Sequence, residues 1–455
     1  MQSLINEAPR MLDVPPLQWV LLVLSVFFCA ILAGASGTGG GALYMPVLVI
    51  FTSSAHAAVP LAKVTILGCA VAALMPMLNQ RHSNNRQRHI INFEIALLIE
   101  PATLLGATFG VCLNIVLPAP AILLCLVVVC GLTLRRTIQK GFSQLKNEQR
   151  ESKSDREFEL NLLPLPQHEM ERGLMSSSSS SATSTCTPRR VEEVKSKIPV
   201  TEILLLGLDW AVNIAGLTVA GGAAALVCGQ TYQRLATFSL ILFHIGFLWL
   251  VTRRFLGIRR RRQLAGIEET SVEEGGDDWM RPRKLLKYIL LGAFIGTLAG
   301  TLGIGGGLIK GPLLMAIGLS SYSAVATSTY MVVFTASTNS ANYLVGGRLR
   351  LWQSRQLEAW VTGRWIIQAV GSLTTRWLNK KYNKQSVTTF ILASAIGLGL
   401  ISMTFSSIYN MLKNDTFAGR NTSDGLTIEQ ACRHLDVTPF QWFLSHKILP
   451  LLKHQ

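Results

Sequence analysis

Apolar runs long enough to cross a membrane recur along this chain, separated by short polar turns and a few longer polar stretches. Ten runs come close to the roughly 20 largely apolar residues that a helix needs to span a hydrocarbon core: 17–35, 59–78, 93–117, 119–135, 201–228, 235–251, 285–302, 322–345, 357–378 and 386–412. They are too long and too continuously apolar for barrel strands. No water reaches the bilayer core, so each backbone amide must be paired within its own helix. Two shorter apolar runs, 41–51 and 307–319, each open on glycines and carry a proline. At about 1.5 Å per residue each covers only half to two-thirds of a bilayer core, so they read as half-helices or re-entrant segments. The predicted fold is an all-α polytopic membrane protein in two homologous halves. It has ten spans if the short segments re-enter and twelve if they cross.

The polar stretches divide the chain. Residues 1–138 form the first half, 200–252 a linking helix pair, and 285–412 the second half. Between them, 139–199 mixes charges, Leu162-Leu163-Pro164-Leu165-Pro166 and the serine run Ser176–Ser181. That composition buries too little apolar area to offset chain entropy, so a disordered cytoplasmic loop is expected. A second loop, 253–284, carries Arg259-Arg260-Arg261-Arg262 and then an acidic patch. The basic loops after the second, fourth and sixth long spans face the cytoplasm by the positive-inside rule. Beside a span the arginine block reads as a retention signal or an anionic-lipid contact. The tail, 413–455, is polar and holds two glycosylation acceptors, Asn414-Asp415-Thr416 and Asn421-Thr422-Ser423. Plasma membrane and endomembrane remain equal readings.

Composition agrees. Only 15% of residues are charged, against about 25% in soluble domains, and the mean hydropathy is +0.36. The net charge of +16 marks retained loops rather than a nucleic-acid partner. None of the eight cysteines forms a CxxC pair or a zinc-type spacing with histidine. No Ser/His/Asp arrangement or HExxH lies within the spans. A transporter is expected, then, rather than an enzyme, with no metal, no cofactor and no catalytic residue.

The main signal is an internal repeat. Displaced by 266 positions, residues 32–51 fall on 298–317 without a gap, and both copies read GxGGGxxxxP: GTGGGALYMP at 37–46 and GIGGGLIKGP at 303–312. A Gly/Pro-interrupted apolar segment in both halves points to a secondary-transporter binding site. Consecutive glycines permit unusual turns and leave amide N–H groups bare. A short helix starting there aims its positive end at an anion. The glycines could instead serve close helix packing. The first copy also fits GxGxxA, but a nucleotide loop requires a preceding strand in a soluble βαβ unit.

At these residues the chain resembles the TauE/SafE family of sulfite-exporter-like membrane transporters, most closely the eukaryotic, plant-type branch. The resemblance lies in both glycine motifs, in Val59-Pro60-Leu61-Ala62-Lys63, in FEIALLIEPATLLGATFGVCLN at 93–114, and in Phe390-Ile391-Leu392-Ala393-Ser394. It implies a multi-pass transporter of sulfite or related sulfur-containing organic anions. Glu100 departs from the pattern, which usually has an uncharged polar residue before Pro101.

Candidate substrate-binding residues are Gly37, Gly39, Gly40, Gly41 and Pro46 of the first motif and Gly303, Gly305, Gly306, Gly307, Lys310 and Pro312 of the second. Lys63, whose repeat counterpart is Thr329, is added because a lysine beside a glycine turn can neutralise an anion; alternatively it snorkels to the interface. Asn339 and Asn342, at i, i+3 spacing, can hydrogen-bond substrate or join helices. Glu100 and Asp209 are candidate proton carriers, since a carboxyl withdrawn from water can take and release a proton. The alternative for both is a salt bridge, for instance with Arg364, and it is favoured for Asp209. The expected partners are a small anion and the lipid bilayer, with no nucleic acid; the sequence leaves the oligomeric state open. A non-transporting scaffold or receptor, or a transporter of a different small anion, is the competing reading.

Overall fold

The computed structural model describes residues 41–52, 55–78, 80–81, 89–117, 119–161, 200–222, 229–264 and 281–346, with some positions within 24–29 and 389–405. Nine helices account for the continuous stretches: α1 Gly41–Thr52, α2 Ala55–Leu78, α3 Phe93–Val116, α4 Ala119–Asn161, α5 Val200–Ala220, α6 Thr231–Leu264, α7 Pro282–Leu302, α8 Gly307–Ile317 and α9 Ser321–Val345. Among the described residues there is no strand, only a lone bridge between Arg81 and His89. The fold is thus the all-α membrane architecture expected.

Six of these helices, α2 to α7, are long and apolar enough to cross a bilayer. The 25-residue α9 is long enough, but its Ser, Thr and Asn content keeps it less apolar than those six. That polarity is turned inward: Thr327, Thr335, Thr338, Asn339 and Asn342 are all buried. The two short runs are helices of 12 and 11 residues. At about 1.5 Å per residue, α8 extends roughly 16 Å, half the thickness of a bilayer core.

Two expectations need correction. The helix of the fourth span does not stop near 138 but continues as α4 to Asn161. Lys, Glu, Gln and Arg dominate 140–158; they are poor core formers but strong helix formers, so polarity there did not mean absence of structure. The start of this extension is packed: Phe142 meets Phe390 edge to face at 5.4 Å, and Thr389 Oγ1 donates to Gln144 Oε1 at 2.5 Å. Likewise α6 runs on from 251 to Leu264, through the arginine block. The rest of the long loop, 162–199, the span at 357–378 and most of the span at 17–35 lie outside the described residues. Every described position between 389 and 405 is helical.

The centre of the bundle is the seam between α3 and α7. Gly106 and Gly110 on α3, and Gly292, Gly296 and Gly300 on α7, repeat at four-residue spacing, the pattern that lets membrane helices approach backbone to backbone. The approach leaves no room for side chains. A β-carbon on Gly106 would lie 1.9 Å from the Ala293 carbonyl oxygen, and one on Gly296 would lie 2.1 Å from that of Thr103. Across the same seam Asn114 Nδ2 donates to Thr301 O at 2.8 Å, and Thr301 Oγ1 donates to Gly110 O at 3.1 Å. Apolar cores lie on either side. One gathers α1, α2 and the starts of α4 and α8 around the ends of α3 and α7. The other gathers α5, α6 and α8 around the starts of α3, α7 and α9.

Candidate functional site

The second glycine motif forms a tight turn between α7 and α8. Gly303, at φ 75°, ends α7 in the left-handed conformation, its N–H donating to Ala299 O at 3.2 Å. Gly305 (φ 73°) and Gly306 (φ 75°) follow, and Gly306 is the N-cap of α8. Glycine is the residue that tolerates such a run of positive φ. Among the described residues no acceptor takes the N–H groups of Ile304, Gly305, Gly306 or Gly307. Successive bare amides at a helix N-terminus form an anion-attracting concavity. Gly307 opens α8, Pro312 lies within it, and Gly318 (φ 118°) closes it.

The first motif reaches the same place. Gly41 begins α1, and a β-carbon on it would come 2.2 Å from the carbonyl oxygen of Ile304, in the middle of the second turn. A β-carbon on Gly303 would in turn contact Met45 and Val59 of the first half. The repeated motifs therefore meet backbone to backbone. Gly37, Gly39 and Gly40 lie outside the described residues; Pro46 falls within α1.

Both lysines are wholly buried. Lys63, on α2, donates from Nζ to Ala299 O at the carboxyl end of α7. A cation there complements the negative end of the helix dipole and shares the Ala299 carbonyl with Gly303 N–H. Lys63 thus turns into the protein, not out along it. Lys310, on α8, donates to Glu100 Oε2 of α3 at 2.6 Å and to Thr335 Oγ1 of α9 at 2.6 Å, while Thr335 donates to Glu100 Oε1 at 2.5 Å. Glu100 is 0% exposed and ion-paired, the salt-bridge alternative with Lys310 as the partner.

The face of α9 that carries Thr335 continues through Asn339 and Tyr343, four residues apart each time. Tyr343 donates to Gly300 O at 3.2 Å, which sets Asn339 between the Lys310 pair and the end of α7. Asn339 is fully buried, yet among the described residues neither its Nδ2 nor its Oδ1 has a hydrogen-bond partner. Asn342 is buried one turn on, its carbonyl accepting from Gly346 N at 2.9 Å.

Asp209 stands apart from this group, on α5. Its expected partner Arg364 lies outside the described residues; the basic group beside it is His244 of α6, whose Nε2 is 3.7 Å from Asp209 Oδ1. Sequence reasoning missed His244, Asn114, Thr301, Thr335 and the glycine seam. An ionisable residue inside an apolar run would have flagged His244, and the four-residue glycine spacing would have revealed the seam.

These features define a multi-pass helical membrane protein with a buried, polar, glycine-lined centre. The "Sulfite exporter TauE/SafE" family profile matches residues 22–166 and 204–402, and the chain belongs to that family, whose members are transporters rather than enzymes. Among its relatives in Arabidopsis thaliana, Sulfite exporter TauE/SafE family protein 3 is 27% identical over 418 residues, 87% of this chain and 80% of the relative. Family protein 1 is 26% identical over 413 residues, covering 88% and 86%, and family protein 2 is 22% identical over 412 residues, covering 88% and 85%. No solved structure matches the chain.

Proposed function

We propose that this chain carries sulfite, or a related small sulfur-containing anion, across the membrane. The anion binds at the meeting point of the two glycine motifs. The amides of the 303–307 turn and the N-terminal end of α8 form one side, Asn339 donates from the other, and Lys63 and Lys310 supply charge. The observation that carries this reading is the contact of Gly41 with Ile304, which joins two distant copies of one motif at a cluster of unused donors.

Charge arithmetic supports it. With Glu100 ionised, two lysines and one carboxylate hold one net positive charge in a buried place. Buried charge without a counter-charge is costly, and an anion supplies one. If the anion takes the place of Glu100 on Lys310, the freed carboxylate is left unpaired and gains by protonation. Anion and proton would then move together. The short α1 and α8 serve as the broken helices from which transporters build midplane sites.

The test is uptake of radiolabelled sulfite into vesicles containing the purified chain, with unlabelled sulfite, sulfate, sulfoacetate and chloride as competitors. The reading expects saturable uptake that sulfite competes away, and slower uptake in Asn339→Leu at equal incorporation. Absence of uptake of every anion tried would favour a scaffold or receptor.

A further inference from the structure

We propose that Asp209, Asn213 and His244 form a proton-binding site in the α5–α6 pair, separate from the anion site and not assigned by the family likeness. The buried stripe of α5 runs Leu206, Asp209, Asn213, Leu217, Ala220, so both polar side chains sit on the helix face turned into the protein. His244 faces them from α6, 2% exposed.

This group lacks both a positive charge and donors for its oxygens. His244 Nδ1 lies 2.8 Å from Leu240 O, a pure acceptor, so Nδ1 carries the hydrogen. In the neutral ring Nε2 is then an acceptor, and it takes Asn213 Nδ2 at 2.8 Å. Nothing remains for the carboxylate. Among the described residues, neither oxygen of Asp209 nor Oδ1 of Asn213 has a hydrogen-bond partner, and all three are buried. Three acceptor oxygens facing no donor are costly in an apolar interior.

One proton from the aqueous phase cancels the unpaired charge. On Nε2 it makes an imidazolium facing Asp209 at 3.7 Å, and the buried charge becomes a neutral pair. Asn213 serves both states by turning its amide, presenting Nδ2 to the bare ring nitrogen and Oδ1 to the protonated one. No other covalent bond is made or broken, and on release the proton returns to water.

The described surroundings leave this role to the Asp209–His244 pair. Besides α6, the helices packed on α5 are α3 and α9. From α3 the titratable neighbour is Glu100, already held by Lys310. From α9 it is Tyr330, whose ring packs on Phe93 and Phe334. The other ionisable pair between α5 and α6, Glu202 with Arg254 at 3.4 Å, lies nearly two turns before Asp209. The site is also linked to the anion site. Trp210, next to Asp209, donates from Nε1 to Ser337 Oγ of α9 at 2.8 Å, between Thr335 and Asn339. Protonation that moves α5 therefore moves the helix presenting Asn339.

The proton site stands without the transport reading; its coupling role rests on it, and the experiment has one arm for each. Infrared difference spectra between alkaline and acidic buffer are recorded on the purified full-length chain in lipid, for wild type, Asp209→Asn and His244→Gln. Size-exclusion profiles matching wild type establish that the variants fold. The imidazole and carboxyl bands of one titrating pair should be present in wild type and missing from both variants; identical difference spectra in all three would overturn the site. In vesicles, sulfite accumulation driven by a pH gradient should fall in both variants to what the Glu100 proton alone supports, while exchange at equal pH persists. Accumulation driven by a sodium gradient and lost in Asp209→Asn would instead make this a sodium site and overturn the proton assignment. Absent transport in wild type would refute the anion reading and leave the infrared result standing.

Discussion

Substituting Gly106 by alanine separates a packing seam from an ordinary membrane helix. The β-carbon would lie 1.9 Å from Ala293 O, whereas a close carbon–oxygen contact is about 3.3 Å. Something must move by more than about 1 Å, and the obstacle is backbone, not the flexible end of a side chain. Overpacking of this kind costs roughly 1–3 kcal/mol, and the upper end applies here. Separating the helices also weakens the Thr301–Gly110 hydrogen bond, worth about 1 kcal/mol. Against this stands the gain in helix propensity of alanine over glycine, about 1 kcal/mol. The net is a loss of about 3 kcal/mol, or roughly 150-fold in the folding equilibrium. Gly246→Ala on α6 is the control. A β-carbon there meets nothing within 4 Å, so only the propensity gain applies and the variant should match or exceed wild type. Reversible unfolding in mixed micelles by increasing sodium dodecyl sulfate reads both. If Gly106→Ala is as stable as Gly246→Ala, the close α3–α7 crossing is wrong.

Other outcomes follow from the same contacts. Lys310→Met leaves Glu100 buried without its cation and should cost about 3–5 kcal/mol; Lys310→Met with Glu100→Gln should recover most of it, and equal losses in the single and double variants would mean that the pair does not form. Lys63→Met removes the donor at Ala299 O and a charge beside the turn; sulfite uptake should fall while the unfolding midpoint drops by no more than a lost charged hydrogen bond, about 1.5–3 kcal/mol, would produce. Asn92→Ala deletes the side-chain cap on Ile95 N at the start of α3 and should cost about 1 kcal/mol in the same assay, whereas an unchanged midpoint would show that the cap is not formed in lipid.

Hydropathy made most of the helices legible, because the bilayer admits so few backbone solutions. The glycine motif was legible as a turn for an equally local reason: positive φ at Gly303, Gly305 and Gly306 demands that residue type. Partnerships were not. Glu100 and Lys310 are 210 positions apart, and nothing in either segment names the other. Asp209 lies 3.7 Å from a histidine 35 positions away because α5 and α6 are adjacent, a fact of packing rather than of pattern. The extension of α4 was obscured because polar composition argues equally for a solvated loop and for a charged helix outside the membrane. The inward polarity of α9 was read as a pair of asparagines, when the whole face from Ser328 to Tyr343 takes part.

The most direct test of the account is sulfite flux in vesicles containing Gly306→Leu or Gly40→Leu, each compared with wild type at equal incorporation. At φ 75° a leucine at 306 resists the backbone turn, and its side chain would fill the space beside the bare amides that we propose for the anion. The long spans supply the hydropathy for insertion, so both variants should enter the membrane normally. The account predicts that either substitution alone abolishes flux while insertion is unchanged. Flux at the wild-type rate in both variants would make the glycine motifs packing devices and contradict the site.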